Sequence, residues 1–436
     1  MRRTWILSLT LLSVCIGVEA GNWPHWRGPN FDGSSSEKGL PAVFSKTEKV
    51  KWVAPMPGAA AATPIVWEDR VFVSSVDQSK RSLVAICLDR KTGKELWRNE
   101  VASGDRQDDK SNYASPSPVT DGKSVYFFYG NGELAAFDFS GKKIWARSLH
   151  KDYGSFAFLW TFSTSPTLAD GRLFIQVLQR DRAVNGRGQA TGRNDSYLLA
   201  LDAATGKEVW RHVRPADARE ESLEAFTTPI PKTLKGRKEL LVAGGDCVSG
   251  HDPASGREFW RWGTWNPTHI PHWRLVPSPV ASDDVILVCA PKGSPVYGIR
   301  AGANGTLPDD GYAWKSTERE VSSDVSTPLF YNGRFYILNS DRKTLSSVDP
   351  ATGKVFWTGA LESRAKIEAS PTGADGKIYV MNHRGDIIVA KAGDNFELVH
   401  NASFGDEGDN NLRSCVVAAQ GQLFIRTGSK LYCVAD

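Results

Sequence analysis

A short phrase recurs along this chain and limits what it can fold into more than any other feature: Asp, two variable residues, Thr or Ser, Gly, Lys or Arg, two further residues, then Trp. It occupies Asp89 to Trp97, Asp202 to Trp210, Asp252 to Trp260 and Asp349 to Trp357, and in a version one residue shorter Asp138 to Trp145. Upstream of each copy stands a second landmark, Ser or Thr followed by Pro. These are Thr63-Pro64, Ser117-Pro118, Ser165-Pro166, Thr228-Pro229, Ser278-Pro279, Thr327-Pro328 and Ser370-Pro371, with Ser414-Cys415 as a degenerate eighth. Self-similarity at this period points to an array of small sheets rather than one conventional core.

Between the landmarks the sequence spells strands. Arg70-Val71-Phe72-Val73, Arg172-Leu173-Phe174-Ile175 and Arg334-Phe335-Tyr336-Ile337 are short β-branched and aromatic runs, bounded by turns such as Asp170-Gly171 and Asn332-Gly333. In the repeated phrase, Gly supplies the positive φ of a hairpin and the Asp side chain accepts turn amides. The Trp then heads an outer strand, where a large aromatic packs against the next sheet. A linear stack would need capping ends, whereas a ring closes on itself. The chain shows how it closes. Val50-Lys51-Trp52-Val53 is an outer-strand phrase with no repeat of its own, and the segment after Ser414 lacks one. The expectation is therefore an all-β, eight-bladed β-propeller with four-stranded blades over residues 50–436, closed by an N-terminal strand that completes the last blade.

The segment Ala200-Leu201-Asp202-Ala203-Ala204-Thr205-Gly206-Lys207-Glu208-Val209-Trp210 resembles the signature of the pyrroloquinoline-quinone (PQQ)-like propeller superfamily. The resemblance spans roughly residues 50–436, and the opening Asn22 to Gly33 resembles the leader of secreted bacterial members. Its bearing on fold is strong and on function weak, because one fold hosts many functions. The superfamily includes both quinoprotein alcohol dehydrogenases and an outer-membrane assembly lipoprotein of the β-barrel insertion machinery, which presents its loops to a partner.

Residues 1–20 read as a secretory signal peptide: Arg2 and Arg3, an apolar stretch from Thr4 to Val18, then Ala20 before Gly21. The apolar run is shorter than the roughly 20 residues that span a bilayer, so no transmembrane span is expected in the mature chain. Cys15 stands in a poor lipoprotein context because Val14 precedes it. The expected location is periplasmic or secreted, with residues 21–49 as a leader packed on the ring. A net charge of +4 gives no reason to expect nucleic acid or an anionic membrane surface as partner.

In a propeller, the loops entering the innermost strands line the mouth of the central channel. Read in order they offer Asn112 and Tyr113, Trp160 and Thr161, Glu221 and Glu224, Trp273 and Arg274, Ser323 and Asp324, Lys366 and Glu368, and Asn411 and Arg413. Such a mixed ring is either a solvated funnel of compensating ion pairs or a ligand groove. The resemblance to quinoprotein dehydrogenases implies PQQ held between a tryptophan floor and a disulfide of adjacent cysteines, with Ca²⁺ polarising the quinone and an Asp as base. Trp160 and Trp273 would be the floor and Asp324 the base, but no two cysteines are adjacent here. His269 and His272 lack further metal-type neighbours, and Asp406, Glu407, Asp409 and Asn410 lack the order of an EF-hand. Residues 180–195 read as a mobile surface insertion or a partner contact. With no Gly-x-Ser-x-Gly elbow either, the sequence points to a non-catalytic binding or scaffold module for a protein or polysaccharide partner, with no catalytic residue, metal or cofactor assigned. A PQQ-dependent oxidoreductase with Ca²⁺ is the alternative.

Overall fold

The hairpin of the repeated phrase is built by its aspartate. Asp202 Oδ1 accepts the Thr205 backbone N–H at 2.9 Å and the Thr205 hydroxyl at 2.6 Å, and Gly206 follows at φ 69°. Asp89 with Thr92 and Asp349 with Thr352 repeat the arrangement. The tryptophan that ends each phrase works on the neighbouring blade. Trp145 donates its indole N–H to the Ala203 carbonyl at 2.9 Å, Trp97 to Phe139 at 3.1 Å and Trp357 to Gly393 at 2.9 Å. Glycine is required twice over at the receiving turn: a Cβ on Gly206 would stand 2.7 Å from the Trp145 ring, in addition to the cost of its positive φ. Trp and Gly of the repeat are thus complementary halves of one contact between blades.

The computed structural model describes residues 21–436, and the expected signal peptide with Cys15 lies outside the described residues. Eight antiparallel sheets follow one another: residues 65–103, 119–148, 167–213, 230–262, 280–315, 329–360, 372–403, and 417–434 joined by the strand Val50–Pro55. That strand pairs antiparallel with Lys430–Val434, setting Trp52 opposite Cys433 and Ala54 opposite Leu431. Trp52 then donates to the Arg90 carbonyl of the first blade at 2.8 Å, which closes the ring as the sequence predicts. The cores lie between faces of adjacent blades; in one of them Phe72, Ile65 and Cys87 of the first blade meet Phe127 and Phe137 of the second. All five described cysteines are buried and unpaired.

One junction departs from the pattern. The fifth blade lacks the Asp-x-x-Thr-Gly turn, and its chain loops back so that Gly305–Thr306 adds a parallel strand outside Glu258–Trp262. Trp260 is consequently fully covered and donates to the Glu239 carboxylate of its own blade at 2.7 Å. Trp314 takes the outer position of the fifth blade and bonds the Pro350 carbonyl at 2.8 Å.

The Ser/Thr-Pro landmarks also acquire a physical role. The Thr63 N–H donates to the Ser117 hydroxyl at 2.9 Å, Ser117 N–H to Ser165 at 3.0 Å, Thr228 N–H to Ser278 at 2.8 Å, Ser278 N–H to Thr327 at 2.9 Å and Thr327 N–H to Ser370 at 2.9 Å. Each landmark hydroxyl caps the backbone of the preceding blade at the channel wall. The eighth landmark is one residue later than the sequence suggests. Inner strands begin two residues after the landmark, and the last begins at Val417, so Cys415 and Val416 hold the Ser/Thr and Pro positions. Cys415 N–H accordingly donates to the Thr63 hydroxyl at 3.1 Å.

The leader runs across the inner strands. Trp23 exchanges backbone bonds with Val66 of the first blade, Pro24 accepts from Thr120 of the second, Asp32 from Phe330 of the sixth and Gly33 from Gly373 of the seventh. Arg27 is fully buried and donates to the carbonyls of Pro328 and Pro371, both at 2.9 Å. A guanidinium out of water needs every acceptor it can find. Here the landmark prolines of two blades provide them.

Candidate functional site

Above this leader the channel opens into a cavity of about 290 Å³. Trp26 lines it, with the Arg27 guanidinium 5.8 Å from its ring centroid. Landmark hydroxyls Ser117, Ser165, Thr228, Thr327 and Ser370 circle the wall, and charged side chains from the loops stand at the mouth. Those charges are Lys110, Arg274, Lys292, Lys366 and Arg413 against Asp324 and Glu368. The two acids are held differently. Glu368 contacts Lys366 at 2.9 Å, Arg413 at 2.7 Å and His383 at 3.1 Å. Burial alone would raise its pKa, but these partners outweigh burial and hold it well below the carboxylate range. Asp324 accepts the Lys292 backbone N–H at 2.8 Å. Arg274 is held only loosely by Glu221, at 3.7 Å. The Lys110 ammonium stands 5.7 Å from the centroid of the Trp160 ring. The wall therefore carries an excess of positive charge.

Of the residues singled out from the sequence, Trp160, Arg274, Asp324, Lys366, Glu368 and Arg413 line this cavity. Asn112, Asn411 and again Arg413 line an adjoining hollow of about 170 Å³. Tyr113, Glu224 and Trp273 do not border the cavity. Tyr113 packs half-buried beside Gly104 and Gly130. Trp273 anchors its backbone N–H on the Ser222 hydroxyl at 2.8 Å and packs on the core that includes the fourth blade. Glu224 is fully enclosed, accepting Arg180 Nε at 2.6 Å and the Leu159 N–H at 2.9 Å. Its desolvation exceeds the help from these donors, and its pKa is pushed up to about 7. Thr161 is buried and bonded to Asp108, and Ser323 to the Ser326 carbonyl.

Several lining residues escaped sequence reasoning, Lys110, Lys292 and Trp26 among them. Lys110 lies two positions before Asn112 in the same loop, so position alone could have found it. Lys292 belongs to a hairpin between strands of the fifth blade, and Trp26 to the leader, neither of which precedes a landmark.

The other candidate clusters resolve into structural roles. Asp406 is bonded by Thr427, Ser429 and Lys430, and Asp409 by the N–H groups of Asp406 and Gly428. Among the described residues no three His, Cys, Asp or Glu side chains converge as a metal site, the His269 and His272 loop included. The insertion at 180–195 is anchored rather than free-standing: Arg180 reaches Glu224, Arg187 bonds the Leu159 carbonyl at 2.6 Å, and Asn194 is buried. No helix of the described residues is long and apolar enough to cross a membrane.

The family described as outer membrane protein assembly factor BamB matches residues 34–184, 152–307 and 248–435, which together run through the whole ring. The chain belongs to this family. Among curated relatives of this BamB-family chain, a quinohemoprotein alcohol dehydrogenase ADH IIB of Pseudomonas putida is 26% identical over 69% of the chain and 42% of the relative. A polyvinylalcohol dehydrogenase of Sphingopyxis sp. is 23% identical over 83% of the chain and 54% of the relative. The chain thus spans about half of these relatives or less. Of solved structures, BamB from Moraxella catarrhalis superposes with a TM-score of 0.58 at 12% identity, covering 88% of this chain and 99% of that one. A europium-containing methanol dehydrogenase gives 0.69 at 11%, covering 95% and 98%. At such identities the likeness shows the fold alone.

The fit of PQQ with Ca²⁺ to this BamB-family cavity is decided by its donor set. Ca²⁺ needs six to eight oxygen ligands, largely carboxylate. The two carboxylates at the wall are Asp324, which accepts the Lys292 backbone N–H, and Glu368, which is held by Lys366, Arg413 and His383. The cavity residues do not fit a Ca²⁺-bound quinone.

Proposed function

We propose that this chain is a binding module whose funnel holds a polyanionic ligand or the acidic part of a partner. The observation that supports this most is the charge of the wall: five cationic side chains against two acids, a net positive lining in which Lys366 and Arg413 share Glu368 while Lys110, Arg274 and Lys292 form no ion pair with either acid. A cleft lined by one sign of charge between low-dielectric walls concentrates ligands of the other sign. The concave, partly aromatic shape is that of a binding site. Nothing in the wall provides an acid and base in free, opposed positions, so the reading is binding rather than turnover. The secretory layout of residues 1–20 supports action in the periplasm or outside the cell.

Titration with inorganic tripolyphosphate tests the reading. Binding should be saturable, should weaken steeply between low and high salt, and should drop at least tenfold in a Lys110→Ala, Arg274→Ala double variant. Absence of salt-sensitive binding overturns it. A parallel titration with PQQ and Ca²⁺, followed by absorbance and dye-linked alcohol oxidation, should show no Ca²⁺-dependent binding or turnover. Turnover that is lost in Asp324→Ala would restore the oxidoreductase reading.

A further inference from the structure

The funnel does not end at its rim. Lys110, Ser111, Ser115 and Arg413 line both the central cavity and the adjoining hollow, so the two form one trough leading outward between the loops of the second and eighth blades. Beyond that junction the hollow is lined by the carboxamides of Gln107, Asn112, Asn410 and Asn411 and by two acids, Asp108 and Asp409, whose oxygens are taken by Thr161, Lys110 and Ser111 and by Asp406 and Gly428, so the ligand's charged groups belong in the funnel and its neutral hydroxyls in the hollow. We propose that this trough takes an acidic oligosaccharide, one carrying uronate carboxylates or sulfate esters. The proposal rests on the polyanion reading above and adds the class of ligand.

Three features argue for a glycan. The first is the combination of a flat aromatic surface with a cation: Trp160 borders the cavity with the Lys110 ammonium 5.7 Å from its centroid. A sugar ring presents an apolar C–H face suited to an indole, and an acid substituent at its edge suited to an ammonium. The second is the wall itself, hydroxyls in the funnel and carboxamides with the acceptors Asp108 and Asp409 in the hollow, which matches a ligand dense in hydroxyl groups. The third is the spacing of charge. Lys110 precedes the second blade and Arg274 the fifth, so cations stand on separated parts of the ring, and a ligand that repeats its charge satisfies both.

An acidic peptide fits less well. Extended peptides dock by pairing with free strand-edge amides and filling side-chain pockets. At this mouth the amides of Thr63, Ser117, Thr228, Ser278 and Thr327 are already taken by landmark hydroxyls.

The test is calorimetric titration of the purified chain with four probes: an oligogalacturonate tetramer, a chondroitin sulfate tetrasaccharide, neutral chitotetraose and oligoglutamate. One or both acidic glycans should bind at least tenfold more tightly than chitotetraose and oligoglutamate, the first two arms separating carboxylate from sulfate recognition. Trp160→Ala should weaken glycan binding at least fivefold while leaving tripolyphosphate binding within twofold. Lys110→Ala should weaken both. If oligoglutamate binds as tightly as either acidic glycan, or Trp160→Ala has no effect on glycan binding, the ligand class is wrong while the polyanion reading stands. If tripolyphosphate and every acidic probe fail together, both fall. Unchanged melting of each variant separates lost binding from lost folding.

Discussion

The indole of Trp145 lies against Gly206: its N–H reaches the Ala203 carbonyl of the same turn at 2.9 Å, and a Cβ on Gly206 would stand 2.7 Å from the ring. Gly206→Val should destabilise by more than 2 kcal/mol, because a β-branched residue resists positive φ and must also displace the indole. Lys207→Ala, on the exposed side of the same turn, should be nearly silent. Gly421→Ala separates the two causes, since Gly421 has φ 68° with nothing within 4 Å of a Cβ. It should cost only about 1 kcal/mol, the conformational part alone. Equal loss for Gly206→Ala and Gly421→Ala in a urea titration would show that the indole yields freely.

Ring closure depends on Trp52, which pairs through its strand with the eighth blade and through its indole with Arg90 of the first. Trp52→Ala should cost about 3 kcal/mol. Deletion of residues 50–53 should cost more, since it exposes the edge strand Lys430–Val434. A thermal melt of the deletion within about 2 °C of the parent would contradict the closure.

The hydroxyl ring makes a prediction of opposite signs. Ser117→Ala strands the buried N–H of Thr63 and should destabilise by about 1 to 3 kcal/mol. At the eighth landmark the position that holds a hydroxyl elsewhere in the ring is Cys415, whose thiol is a poor acceptor, and the repeat would set a hydroxyl there against the N–H of Ser370. Cys415→Ser should raise the melting temperature, by about 1 kcal/mol of stability. A loss on Cys415→Ser as large as that on Ser117→Ala would mean that thiol packing outweighs the hydrogen bond.

Two buried glutamates should respond to pH in opposite directions. Glu224 has its pKa pushed up to about 7 by burial, above the unfolded value of about 4.3. The folded chain therefore keeps a proton that the unfolded chain has released. The associated stability is full below about pH 4.3 and is lost as pH rises through about 7. Glu224→Gln should flatten that decline, so the melting-temperature gap between pH 5 and pH 8 narrows.

Glu368 lies on the other side of the balance. Its cationic partners keep it ionised well below the unfolded pKa, so its contribution is present above about pH 4.3 and is lost as the solution is acidified further. Glu368→Gln should cost about 3 kcal/mol at pH 7, because it leaves paired cations without their acid. The cost should shrink toward pH 3. A constant deficit at every pH would assign Glu368 a packing role instead.

The architecture was legible because its rule is local. Asp, Gly and Trp at fixed offsets dictate one turn and one outer strand, and repetition does the rest. Trp52 could be assigned to the last blade because an outer-strand phrase without a repeat has only one vacancy to fill. The mouth loops were legible for the same reason, which is why Trp160, Arg274, Asp324, Lys366, Glu368 and Arg413 all reach the cavity. What escaped was set by contacts distant in sequence. Cys415 hid the register of the last landmark because neither it nor Val416 looks like Ser-Pro. Trp273 faces a neighbouring core, since Ser222 fixes its backbone in a way no spacing reveals. Trp26 reaches the cavity only because Arg27 finds carbonyls on the sixth and seventh blades.

That placement of Trp26 and Arg27 lays the leader across the ring from the first and second blades to the sixth and seventh, with Trp26 lining the cavity. A ligand in a through-channel can enter by one opening while displaced water leaves by the other. A leader in that position leaves ligand and displaced water to share the loop-lined mouth and the hollow that adjoins it. Residence time is then governed by the loops at the rim, and changes there should alter association and dissociation together while leaving the fit at the bottom untouched.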